Sequence, residues 1–224
     1  MPLSAAAAMN PRWTWLPLPP GAPAEPLARA WMAPLLGCAA DALPIGRDPH
    51  GRPRLGEPFS DWDGNWTHSG AGLLVALGRR QRVGIDLEWQ RPRPRALELA
   101  RRFFTRAEAE WLAGLADAGR ERAFLRLWCA KEAVLKAHGR GLAFGLDRLA
   151  FVGVDTDADA GLRLVDCDPA LGRPSEWSVR ELAPAPGYLG ALAWRAGLVE
   201  DRRDAPLPRP AAGENAPAGD NSRP

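Results

Sequence analysis

The sequence is short of several things at once. Cysteine occurs three times in 224 residues, at Cys38, Cys129 and Cys167. That odd number and wide spacing supply neither a disulfide framework nor a zinc-ligand pattern, and the expected compartment is a reducing cytoplasm. Charge of one sign is not in excess: 29 Lys and Arg against 27 Asp and Glu leave a net charge of +2. This excludes a global attraction to nucleic acid or to an anionic membrane, so charge arguments have to be local. No apolar run approaches the roughly 18 residues that span a bilayer. MPLSAAAAMNPRW has no basic cluster ahead of an apolar core, so neither membrane insertion nor export is expected.

What is present has the size of one compact unit or two intimately packed halves. Residues 1–24, rich in Ala and Pro, and residues 201–224 carry too few apolar side chains to repay ordering, and are expected to be mobile. Between them we set a first half over 25–80 and a second over 81–200. The spacing of Leu27, Trp31 and Leu35 predicts a helix from Glu25 to about Ala40, weakened by Pro34, with polar and turn-forming residues from there to Thr67. GLLVALG from Gly72, the turn RRQR, and VGIDLEW read as a β-hairpin. In its second strand Val83, Ile85, Leu87 and Trp89 share one face, and Gly84, Asp86 and Glu88 the other. Helices are predicted from Arg95 to Phe103, from a capping box of Thr105 and Glu108, and from Arg120 to His138, ended by Gly139. LAFVGV, GLRLV, WSVREL and YLGALAW have strand character. Hairpin, helices, then strands is an α+β order with antiparallel pairing.

Asp86 and Glu88, two apart on a strand, project from one face roughly 6 to 7 Å apart. Such a pair is either two solvated acids or, with phosphate oxygens and water, a site for a hard cation such as magnesium. Glu132 interrupts the apolar stripe of the helix ending at His138, where an unpaired carboxylate is costly to bury. Its partner is either Lys136, one turn on, or a metal shared with Asp86 and Glu88. His68 lies among small polar residues in NWTHSG, and Arg52 in the turn GRP. Each is either a phosphate contact or an ordinary surface group.

VGIDLEW (Val83 to Trp89) and LWCAKEAVLKAHGRGL (Leu127 to Leu142) together resemble the signature of the 4'-phosphopantetheinyl transferases: G-[IV]-D, an acid two residues later, then W-x-x-K-E-x-x-x-K. Gly84, Ile85, Asp86, Glu88, Trp128, Lys131, Glu132 and Lys136 fill every position. RRFFTRAEAEWL is similar to the family's helix opening, GRP to its G-K-P and NWTHSG to its N-x-S-H-S. The likeness runs over about residues 45 to 195. Size and order resemble the larger, surfactin-synthetase-activating type.

That resemblance implies a pseudo-twofold monomer of two similar α+β halves, each a small antiparallel sheet with a packed helix, and coenzyme A in the cleft between them. It implies transfer of phosphopantetheine from coenzyme A to a serine of an apo acyl or peptidyl carrier protein, with 3',5'-ADP released. Asp86, Glu88 and Glu132 resemble the ligands of Mg2+, and Lys136 the lysine at the phosphate beside pantetheine. Thr67 and His68 resemble the Ser-His pair at the phosphates, and Arg52 stands where lysine is usual, near the adenosine. Glu132 is the candidate base, with Lys136 and His68 beside it in the catalytic set. Arg47, and after it Arg29, are the candidates for the 3'-phosphate. Other readings of the site are a non-catalytic coenzyme A or carrier-protein module and a metal-dependent phosphohydrolase.

RPRPRALELARRFFTR carries six arginines and one acid, which reads equally as a dock for an acidic carrier and as a solvated face; no aromatic platform accompanies it to suit nucleic acid. Asp155, Asp157 and Asp159 imitate the start of an EF-hand, but Ala160 stands in the place of its glycine, so a hairpin turn is expected.

Overall fold

A computed structural model describes residues 10–153 and 161–196. The first half opens with β1 (Arg12–Pro17) and α1 (Ala24–Leu36), continues through β2 (Ile45–Arg47) and β3 (Pro53–Leu55), and closes with β4 (Trp62–Ser69) and β5 (Gly72–Arg79). The second opens with β6 (Gln81–Trp89), adds α2 (Ala96–Phe103), α3 (Arg106–Ala113) and α4 (Asp117–His138), and ends with β7 (Leu149–Val152), β8 (Arg163–Cys167), β9 (Trp177–Leu182) and β10 (Tyr188–Ala196).

Strand order repeats between them. The first sheet runs β1-β5-β4 and the second β6-β10-β9, all antiparallel, with two-stranded ribbons β2-β3 and β7-β8 beside them. Each half is therefore strand, helix, ribbon, then two strands of which the last takes the centre. This is an α+β fold of two similar halves, with α2 and α3 as an insertion in the second.

β5 holds the halves together because it is apolar on both faces. Leu73, Val75 and Leu77 meet Ala28 and Met32 of α1, whereas Leu74 and Ala76 meet Val83, Ile85 and Leu87 of β6 together with Leu192. The other face of β6 carries α4, whose Ala130, Ala133 and Ala137 pack with Ala191 and Ala193 of β10. Helix ends follow local chemistry: Thr105 and Glu108 form a complete capping box, and Gly139 leaves α4 at φ 103°. Pro34 lies in the last turn of α1, which Gly37 closes.

Three expectations are corrected. Residues 12–17, inside the stretch assigned to a mobile N-terminus, form β1, because Leu16 and Leu18 bury against the first core. β5 and β6 do not pair as a hairpin: both edges of β5 are taken by β1 and β4, and β6 pairs with β10. The polar run before Thr67 contains β2, β3 and β4. The Asp155–Asp159 turn and residues 201–224 lie outside the described residues.

β4 is a strand despite its polarity because its alternate side chains serve the free edge of β6. Asp63 Oδ2 accepts from Val83 N at 2.9 Å, Asn65 Oδ1 from Ile85 N at 2.9 Å and Ser69 Oγ from Trp89 N at 3.0 Å. Side chains thus do what carbonyls do in a ladder, and the two sheets meet along a polar seam. Thr67, the remaining residue of the series, looks into the site.

Candidate active site

The alternation of β6 sends Val83, Ile85 and Leu87 into the core and Gly84, Asp86 and Glu88 toward α4. At Gly84 strand and helix touch: a Cβ there would stand 2.1 Å from the Ala133 carbonyl oxygen and 2.4 Å from Ala137 N. No larger residue permits that approach, and it brings Glu132 and Lys136, one turn apart on α4, over Asp86.

Lys136 Nζ donates to Asp86 Oδ1 at 2.6 Å and to Thr67 Oγ1 at 3.1 Å. Its side chain keeps 27% of its surface open while that of Asp86 keeps 6%, so the lysine is the more exposed member of the pair. Burial pulls the lysine pKa down, but Asp86 outweighs it and holds the group above its usual range. Among the described residues, the buried Asp86 Oδ2 has no hydrogen-bond partner.

Glu132 is 5% exposed. Burial, and then Asp86 and Glu88 against the partial relief of Lys136, push its pKa up to about 7. Glu88 is raised too, by burial and by Asp86, with Arg93 opposing through a 2.5 Å contact. Three carboxyl groups therefore act on one another beside a single ammonium. Among the described residues no three His, Cys, Asp or Glu side chains converge into a ready ligand cluster. The chemistry of the set still suits a hard divalent cation: oxygen donors only, mutual repulsion, and one buried carboxylate oxygen without a partner.

Other motif residues are structural. Lys131 is fully buried and turned away from the acids; it pairs with Glu108 Oε2 at 2.7 Å and donates to the carbonyls of Leu146, at 2.9 Å, and Leu149. Trp128 packs among Phe103, Phe104 and Phe124. The Cys129 thiol, in the core, is pushed well above its usual range by burial and by Asp86 and Glu88, which makes it a poor nucleophile.

The remaining candidates separate. His68, next to Thr67 on β4, points to the opposite, α1-facing side and is exposed. On that side Arg47 lies 5.6 Å over the Trp66 ring and pairs with Glu25 at 2.7 Å; Arg29 reaches the same Glu25 at 2.9 Å. Arg52 is not at a surface. It is 6% exposed and pairs with Asp63, which corrects its reading as a surface group: a guanidinium in a turn looks the same in sequence whether it faces water or a buried carboxylate. Asp63, Asn65 and Ser69 frame the site, and their period-two spacing with Thr67 is a strand signal. Arg93, part of the basic patch in sequence, folds back onto Glu88, and Arg95 pairs locally with Glu98 at 2.6 Å.

Residues 82–192 match the profile of the 4'-phosphopantetheinyl transferase superfamily. The chain is 38% identical over 174 residues to slr0495 of Synechocystis sp., provisionally named a 4'-phosphopantetheinyl transferase, a match covering 74% of this chain and 68% of that protein. It is 32% identical over 171 residues to the 4'-phosphopantetheinyl transferase HetI of Nostoc sp., covering 75% and 67%. With the 4'-phosphopantetheinyl transferase Sfp of Bacillus subtilis it shares 33% over 102 residues, 46% of this chain and 44% of that one.

Proposed function

This chain belongs to the 4'-phosphopantetheinyl transferase superfamily, and on that footing we propose that it moves the 4'-phosphopantetheine group of coenzyme A onto a serine of an apo acyl or peptidyl carrier protein, releasing 3',5'-ADP. The observation that carries the reading is the meeting of Lys136, Asp86 and Thr67 beside a Glu132 whose pKa is pushed up to about 7.

Asp86, Glu88 and Glu132 would hold Mg2+, which when bound supplies charge neutralisation at the coenzyme A diphosphate. Lys136, open on one side, binds the phosphate to be transferred, and Thr67 offers it a hydroxyl. The serine oxygen forms the new bond to phosphorus as the bond to 3',5'-ADP breaks, so negative charge grows where the ammonium stands. Glu132 takes the serine proton. Arg47 and His68, on the α1-facing side of β4, hold the adenosine 3'-phosphate, with Arg29 behind them. The repeated two-half topology favours the larger, monomeric type, and three scattered cysteines suit a reducing cytoplasm. Among the described residues no helix is long and apolar enough to cross a membrane, and the near-neutral net charge gives no global attraction to nucleic acid.

Acceptor dependence is the test. Release of 3',5'-ADP from coenzyme A is followed with apo carrier protein, with a carrier whose acceptor serine is replaced by alanine, and with none. Release with the first alone supports the transferase; release in all three identifies a phosphohydrolase instead.

A further inference from the structure

Resting on that reading of the site, we propose that Arg52 and Asp63 form a clamp that sets the position of Lys136, and that Arg52 is a positioning residue rather than a ligand of coenzyme A.

Every nitrogen of the guanidinium is engaged. Nε donates to the backbone carbonyl of Lys136 at 2.8 Å; Nη1 to Asp63 Oδ1 at 2.9 Å and to Pro53 O at 3.3 Å; Nη2 to Asp63 Oδ2 at 2.7 Å and to Val83 O at 2.6 Å. Five N–H groups meet five acceptors, so none remains for a phosphate. Asp63 Oδ2 in turn accepts from Val83 N at 2.9 Å. The pair therefore ties together the start of β3, β4, β6 and the last turn of α4, whose carbonyls lack partners within the helix.

The anchored points are the ones that matter for Lys136. Its Nζ reaches Asp86, three residues beyond Val83 on β6, and Thr67, four beyond Asp63 on β4. The clamp fixes the backbone of Lys136 against the same two strands that supply its side-chain partners. A lysine at 52 has one nitrogen and cannot grip Asp63 at two points while reaching the Val83 and Lys136 carbonyls.

The chain has only two lysines, Lys131 and Lys136, which gives a readout independent of transfer. In Asp63→Asn, the rate at which an amine-acylating reagent modifies Lys136, followed by peptide mass spectrometry, rises severalfold while buried Lys131 stays protected. An unchanged rate at Lys136, or Lys131 opening with it, overturns the clamp. The kinetic arm is a cycle of Arg52→Lys, Lys136→Ala and the double variant, with coenzyme A affinity measured by calorimetry in EDTA. Arg52→Lys lowers kcat roughly 10- to 100-fold, leaves coenzyme A affinity within about twofold, and adds little once Lys136 is alanine. An equal loss in both backgrounds, or lost coenzyme A affinity with kcat retained, refutes the proposal. A parent protein that transfers nothing while the acylation result holds refutes the transferase reading and leaves the clamp standing.

Discussion

Gly84 and Ala133 stand so close that the carbonyl oxygen of Ala133 occupies the space a side chain on Gly84 would need, 2.1 Å from the nearest Cβ position. The obstructing atoms are backbone, so they cannot swing aside. Gly84→Ala should cost about 1 to 3 kcal/mol by overpacking and, by lifting Glu132 and Lys136 off Asp86, lower transfer by roughly 100-fold. Denaturant unfolding and steady-state turnover check both; wild-type values for this variant would show that β6 and α4 need not touch.

Glu132 gives a pH signature. Its pKa in the fold, about 7, lies above its ordinary 4.5, so between those values the folded chain binds more protons than the unfolded one. Its contribution to stability is fully present below about pH 4.5 and is lost as pH rises through about 7. Thermal melts across that window should therefore show Glu132→Gln losing less stability with rising pH than the parent. Parallel curves would place Glu132 outside the shared field of Asp86 and Glu88.

The same repulsion makes a binding prediction free of turnover. Mg2+ added without coenzyme A should raise the melting temperature of the parent more at pH 8 than at pH 5.5, because the carboxyls repel most when ionised. Glu132→Gln should blunt the rise. A shift equal at both pH values, or equal in the variant, would separate these acids from metal binding.

Lys131 tests the structural half of the motif. Lys131→Met leaves Glu108 in the core with Thr105 and Phe151 N but without its ammonium, and should lower stability by about 3 kcal/mol. A loss under about 0.5 kcal/mol, the range of an exposed pair, would contradict a buried role.

Much of this was legible in the chain because it is local. The two faces of Val83 to Trp89 follow from alternation, the start of α3 from Thr105 and Glu108, and the end of α4 from Gly139. The acids could be named in advance for the same reason: Asp86 and Glu88 share a face, and Glu132 breaks an apolar stripe. What could not be read is what depends on distant partners. β4 looks like a loop because Asp63, Asn65 and Ser69 are polar, and they are polar because their acceptors are matched to an edge 20 residues away. Arg52 finds its carbonyl partner on Lys136, 84 positions on. The apparent hairpin failed because periodicity describes faces and says nothing of which edge is already taken.

The most direct measurement is the intact mass of an apo carrier protein after incubation with this protein and coenzyme A, with Mg2+ and with excess EDTA. The account predicts a gain of one phosphopantetheine arm with Mg2+, none with EDTA, and none with Glu132→Gln. An unmodified carrier in Mg2+, across acyl and peptidyl carriers alike, would contradict it.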